Sequence, residues 1–178
     1  MHIFFTALLL LVVTSEPIED FMKRGPTRVI AHWGLCPRTR LPRSKKRSRS
    51  AADMFELDVL LSRDGCVVVI HDDTLDRTTD GEGEVAAFTL AELKKLDAGS
   101  WFSEEFAGER IPTLEQALRL AKGRILVNVE IKTEAVGDGI VAKALEIIDE
   151  LDMKDNVVIS SFDPKALSKA RELDLEET

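Results

Sequence analysis

Glu56 and Asp58 stand two residues apart in Met54-Phe55-Glu56-Leu57-Asp58-Val59, and His71 closes a second apolar run, Val67-Val68-Val69-Ile70. Successive side chains of a strand point to opposite faces, so both carboxylates aim one way while Phe55, Leu57 and Val59 aim the other. The same period puts Val67, Val69 and His71 on one side. Carboxylates and imidazole gathered on apolar strands are costly unless paired. They are also the groups of proton transfer and of hard-cation binding. Each has an ordinary alternative: an ion pair of Glu56 and Asp58 with Lys132, and a turn at His71-Asp72.

Asp64-Gly65 lies between the two runs and is a hairpin signal. A two-residue turn there sets Asp58 opposite His71. The connection from Val59 to Val67 is shorter than the dozen residues that a parallel crossover needs. A true hairpin and an irregular barrel edge both fit, and both bring His71 near the carboxylates.

The other elements follow from period and caps. Arg28-Val29-Ile30-Ala31-His32 reads as a short buried strand ending in a histidine. Thr89 with Glu92, and Thr113 with Gln116, match the capping box and start two helices. The first is short, stopping before Gly99, and the second runs from Leu114 to Lys122 and ends at Gly123, a left-handed cap. Trp101, Phe102 and Phe106 form an aromatic cluster between them, either a packed lid or insertion or a substrate wall. In the strand Ile125 to Lys132, Val127, Val129 and Ile131 share one face, and Asn128, Glu130 and Lys132 the other. A helix from Ile140 to Leu151, a strand from Val157 to Ser161 and a helix opened by Asp163-Pro164 complete a strand-helix-strand-helix order, which argues for parallel α/β units.

The 178 residues suffice for one domain with a real core. A formal charge of -8 argues against a general nucleic-acid binder. Arg38, Arg40, Arg43, Lys45, Lys46, Arg47 and Arg49 form a run without acids; outside it 17 bases face 32 acids. That basic segment, 33–50, reads as a solvated loop, with binding of anionic lipid or RNA as the alternative. Cys36 and Cys66 have no C-x-x-C spacing, so neither a disulfide framework nor a thiolate metal site is indicated. The sequence has no G-x-S-x-G, Walker loop or H-E-x-x-H. The apolar run Ile3 to Val13 is shorter than the ~20 residues of a spanning helix. It reads as part of a signal peptide over 1–15, which implies a secreted or periplasmic protein. An uncleaved anchor or a mis-assigned start are the alternatives, and a chain without a signal would be cytoplasmic.

Taken together, A-H-x-G after a strand, E-L-D-V, D-G-x-V-V-V-I-H-D-x-T-L-D-R-T-T, I-P-T-L-E and V-E-I-K resemble the glycerophosphodiester phosphodiesterase family, from about Val29 to Phe162. The resemblance implies an α/β fold, a (β/α)8 barrel with its site at the carboxyl ends of the strands, occupying 26–178 here. It implies that His32 and His71 are the general acid/base pair and that Glu56, Asp58 and Glu130 hold one divalent cation, Ca2+ or Mg2+. Lys132 matches the lysine that contacts the phosphate. The implied reaction splits a small-molecule glycerophosphodiester into sn-glycerol 3-phosphate and an alcohol. The chemistry agrees, since three carboxylates make a hard oxygen site and histidine titrates near neutral pH.

Two departures stand out. Trp33 follows His32 where the family has arginine, whose fork grips phosphate in a way tryptophan cannot. The Pro-Glu-Asn-Thr that leads into the family's first crossover helix is replaced by the basic run, the pattern expected of paired frame shifts. A (β/α)8 barrel takes ~250 residues, and about five strands are readable, so the expectation is a truncated barrel prone to self-association through open strand edges. The alternatives to hydrolysis are a remnant that binds only metal or phosphate, and a related phospholipase acting on intact lipid.

Overall fold

The computed structural model describes residues 30–32, 54–132 and 139–176, with 30–32 and 175–176 as backbone alone. The expected signal peptide, the basic segment with Trp33, and the His32 side chain lie outside the described residues.

Alternation of apolar and polar residues decides the sheet. Strands β1 (Ile30–His32), β2 (Met54–Leu61), β3 (Val67–Val69), β4 (Leu126–Ile131) and β5 (Val157–Ser160) form one five-stranded sheet. Its path β1-β2-β4-β5 is parallel throughout, and β3 pairs antiparallel with β2 off that path. Phe55, Leu57 and Val59 join Val127, Val129, Ile131, Val157 and Ile159 in one core cluster with residues of the helices. The period of two leaves Glu56, Asp58, Asn128, Glu130 and Ser160 on the opposite face.

The helices begin where the sequence offers caps. Helix α1 (Leu90–Leu93) is a single turn behind Thr89, and α2 (Leu114–Ala121) starts at Thr113; both capping boxes close. The Thr113 hydroxyl accepts from the Gln116 backbone N–H at 3.2 Å, and Gln116 Oε1 accepts from the Thr113 N–H at 3.1 Å. Leu114, Leu118 and Ala121 turn into the core, and Gly123 at φ +71° ends the helix in the left-handed region. Thr113→Ala removes the cap and is expected to cost about 1 kcal/mol in a urea titration. Helix α3 (Ile140–Glu150) carries the chain from β4 to β5, and α4 (Pro164–Glu176) follows β5. At its start the Asp163 carboxylate accepts from the Lys165 N–H at 2.9 Å.

The β2–β3 connection corrects one expectation. Leu61 pairs with Val67 and Val59 with Val69, and the Ile70 N–H donates to the Asp58 carbonyl at 3.1 Å. Asp58 therefore stands opposite Ile70, one residue short of His71. The cause is a three-residue loop, Arg63-Asp64-Gly65: the Ser62 N–H donates to the Cys66 carbonyl and the Gly65 N–H to the Ser62 carbonyl, both at 2.9 Å. Gly65 at φ +76° takes the left-handed position that a three-residue hairpin requires.

Beyond β3 the chain builds a small second core from Val68, Ile70, Leu75, Val85, Leu93 and Ile111. The aromatic cluster lies on the surface of this insertion. Trp101 and Phe102 have ring centroids 5.7 Å apart, as do Phe102 and Phe106, and Trp101 and Phe102 keep 36% and 47% of their surface exposed.

Candidate active site

Strand register gathers the acids. In the parallel ladders Glu56 faces Asn128, Asp58 faces Glu130, and Glu130 faces Ser160, so these side chains stand in two adjacent rows on the polar face. One carboxylate oxygen from each of Glu56, Asp58 and Glu130 lies within 4.8 Å of the others. Asp58 and Glu130 are buried, at 2% and 8% exposure. His32 pairs with Glu56 across β1 and β2, which sets its backbone beside the acids.

Burying ionised carboxylates this close is unfavourable without compensation. Lys132, one residue beyond β4, supplies part of it, with Nζ 3.4 Å from Asp58 Oδ1. Among the described residues neither Asp58 oxygen has a hydrogen-bond donor, so this contact is an ion pair only. Glu130 responds by holding its proton. Burial pushes its carboxyl up to about 7, reinforced by a hydrogen bond with Glu56 and by the charges of Asp58 and Glu56. Three convergent carboxylates, with both buried oxygens of Asp58 lacking a hydrogen-bond donor among the described residues, make an all-oxygen donor set that fits a hard divalent cation.

His71 reaches this cluster through Lys132, whose Nζ is 3.0 Å from Nε2 of the ring. Its Nδ1 meets Asp72 Oδ1 at 2.5 Å. Arg77 grips the same carboxylate, with Nε on Oδ2 at 2.5 Å and Nη2 on Oδ1 at 2.8 Å. An open cavity of about 630 Å³ adjoins Lys132, lined also by Asp73, Ser161, Phe162 and Lys165.

The structure thus brings together five of the six expected side chains: Glu56, Asp58, Glu130, Lys132 and His71. Of the ordinary alternatives, an ion pair of Asp58 with Lys132 occurs inside the cluster rather than in place of it, and His71-Asp72 lies in a bend. Sequence reasoning placed Asp72 and Arg77 within the family motif without giving either a role in the site, and gave none to Asn128 and Ser160, which are buried on the same face. The signals were the adjacency of Asp72 to His71 and the place of both residues in the H-D-x-T-L-D-R-T-T motif, but Arg77 lies in an irregular turn where no period says which side chains meet.

A family model for the glycerophosphoryl diester phosphodiesterase family matches residues 45–177. The chain belongs to this family. It is 47% identical over 152 residues to a glycerophosphodiester phosphodiesterase of Caldanaerobacter subterraneus subsp. tengcongensis, covering 83% of this chain and 63% of that protein. The crystal structure of glycerophosphodiester phosphodiesterase from Agrobacterium tumefaciens superposes with a TM-score of 0.69 at 30% identity, over 85% of this chain and 64% of the other. A phosphodiesterase from Oleispira antarctica, in complex with the product sn-glycerol-3-phosphate, gives 0.66 at 33%, over 83% and 62%. The chain spans less than two thirds of the length of each. Its α/β architecture is that of the phosphodiesterase-type (β/α)8 barrel, of which the described residues supply four parallel strands, β1, β2, β4 and β5, with antiparallel β3 outside that series.

In this family member the Asp72–Arg77 pair has a consequence for acid stability. The Arg77 guanidinium, helped by His71, holds the Asp72 carboxyl down to about 2, from 3.8. A carboxyl depressed on folding stabilises the folded state above its unfolded pKa, and that contribution fades as the pH falls from about 4 through about 2. Urea titrations should therefore show Asp72→Asn less stable than the parent at pH 5, with the gap closing by pH 2.

Proposed function

We propose that this chain hydrolyses glycerophosphodiesters to sn-glycerol 3-phosphate and an alcohol, at the site formed by Glu56, Asp58, Glu130, Lys132, His71 and His32. The observation that carries the reading is the convergence of three carboxylates, a lysine and a histidine on the polar face of the sheet in a member of this family. The product complex of the Oleispira antarctica relative supports the substrate class.

Glu56, Asp58 and Glu130 would hold one divalent ion, Ca2+ or Mg2+, whose chemistry is to neutralise phosphate charge and polarise the P–O bond. The chain's own residues do the rest. Lys132 borders the open cavity and offers its ammonium to a phosphate oxygen there. His71 and His32 divide the proton work, one accepting from the attacking hydroxyl and the other donating to the leaving alcohol. Trp33 brings no guanidinium to the phosphate, which leaves more of the grip to Lys132.

The apolar run at the N-terminus supports export, and among the described residues no helix is long and apolar enough to cross a membrane. Self-association through strand edges belongs to the same proposal and is read by size exclusion.

The test is release of glycerol 3-phosphate from a glycerophosphodiester. EDTA and His32→Ala should each abolish it. Cation binding without any turnover would refute the hydrolase and leave a protein that only binds the ion.

A further inference from the structure

We propose that Arg77 is a positioning residue for His71: through the Asp72 carboxylate it fixes the imidazole with its proton on Nδ1 and its lone pair on Nε2, turned to Lys132. The inference rests on reading His71 as an acid/base group.

The two ring nitrogens have partners of opposite kind. An ammonium can only donate, so Nε2, 3.0 Å from Lys132 Nζ, must accept. A carboxylate can only accept, so Nδ1, beside Asp72 Oδ1, must carry the proton. Both contacts select one tautomer, and which nitrogen is protonated is set by the hydrogen bond that the other makes.

Only one of these partners is committed to the task. Lys132 also pairs with Asp58 at 3.4 Å and borders the cavity where phosphate would bind, so a substrate competes for it. Once Lys132 turns to phosphate, the Asp72 contact still holds the proton on Nδ1 and so the lone pair on Nε2. Asp72 is in turn held by both ends of the guanidinium fork, a geometry that leaves a carboxylate little freedom to rotate.

Arg77 is itself braced. Its guanidinium lies over the Trp101 ring, 5.8 Å from the centroid, and the Trp101 Nε1–H donates to the Ala98 carbonyl at 3.0 Å. The turn around it is tied down at Leu75, fully buried, whose carbonyl accepts from the Thr79 N–H at 3.0 Å and the Thr79 hydroxyl at 2.8 Å. The aromatic cluster of the insertion thus bears on His71 through Trp101, Arg77 and Asp72.

The test reads the tautomer directly. Long-range 1H–15N spectra of the full chain, recorded where the imidazole is neutral and assigned with His71→Gln, give the ratio of Nδ1–H to Nε2–H at His71. The parent should hold mainly Nδ1–H. Arg77→Ala should lower the ratio several-fold, and Arg77→Lys, which keeps the charge without the fork, should fall between. An unchanged ratio in Arg77→Ala, or a parent that is mainly Nε2–H, overturns the proposal. Should Arg77→Ala lose its cooperative melt, Arg77→Gln is read in its place, and an unchanged ratio there overturns the proposal equally.

The spectra need no turnover, so their outcome is separate from that of the hydrolase. In an active chain Arg77→Ala should lower kcat by roughly 10-fold or more, the scale of other orienting partners, with KM nearly unchanged. A raised KM with kcat unchanged would make Arg77 a substrate contact and refute the positioning role.

Discussion

Glu130→Gln should make the ion-free protein more stable above neutral pH and cost it its divalent ion. The Glu130 carboxyl is pushed up to about 7 from 4.5, first by burial and then by Glu56 and Asp58. A carboxyl raised on folding keeps a proton that the unfolded chain has already released. Ion-free stability therefore falls as the pH rises from about 4.5 to about 7, and the cost is fully present above that. At most it reaches about 3 kcal/mol. Glutamine carries no charge to desolvate, so in EDTA the variant should gain on the parent across this window in urea titrations. With calcium or magnesium added the order reverses. Removing one of three carboxylates should weaken binding by calorimetry by roughly 100-fold, since ligand charge sets affinity in such sites. Equal ion affinity in parent and variant would show that Glu130 is not a ligand. A variant less stable than the parent at pH 8 without ion would show that its carboxylate stabilises the fold.

The parts of this site that were legible in the sequence are those that a strand's period dictates. Glu56 and Asp58 had to share a face because Phe55, Leu57 and Val59 had to share the other, and the same logic placed Glu130 and Lys132 opposite Val129 and Ile131. Helix starts at Thr89, Thr113 and Asp163 were equally open, because a cap is a local hydrogen bond between residues two or three apart. What failed was whatever depended on loop geometry. The pairing of β3 shifted by one residue because Asp64-Gly65 serves a three-residue loop rather than a two-residue turn, and a hairpin's register is set by the length of its loop. The pairing of Asp72 with Arg77 escaped the sequence for a related reason. Their contact spans five residues of irregular chain, where neither the helical nor the strand period says which side chains meet. The convergence of His71 with Lys132, 61 residues apart, likewise needs the parallel ladder between β2 and β4, which pattern alone suggests but does not align.

His71→Ala should lower turnover by roughly 10²- to 10⁴-fold, the usual contribution of a placed acid or base, while leaving divalent-ion affinity unchanged. The separation follows from where the ring sits. His71 meets Lys132 and Asp72, whereas the carboxylates that converge are Glu56, Asp58 and Glu130. Alanine removes the lone pair at Nε2 but no member of the oxygen cluster. Lys132 loses an acceptor and keeps Asp58, so its ammonium remains beside the cavity to meet phosphate, and KM should change little. Lys132→Met provides the contrast. It takes the cation from Asp58, which is almost fully buried, and should destabilise the ion-free protein by about 3 kcal/mol, as breaking a buried pair does. A bound divalent ion should restore much of that loss, while KM rises because the phosphate contact is gone. Measuring kcat, KM and ion affinity separately for the two variants tells proton transfer from phosphate binding. A parallel fall of turnover and ion affinity in His71→Ala would make His71 a metal ligand instead of a proton carrier. A fall in turnover of less than about tenfold would take general acid–base catalysis away from it altogether.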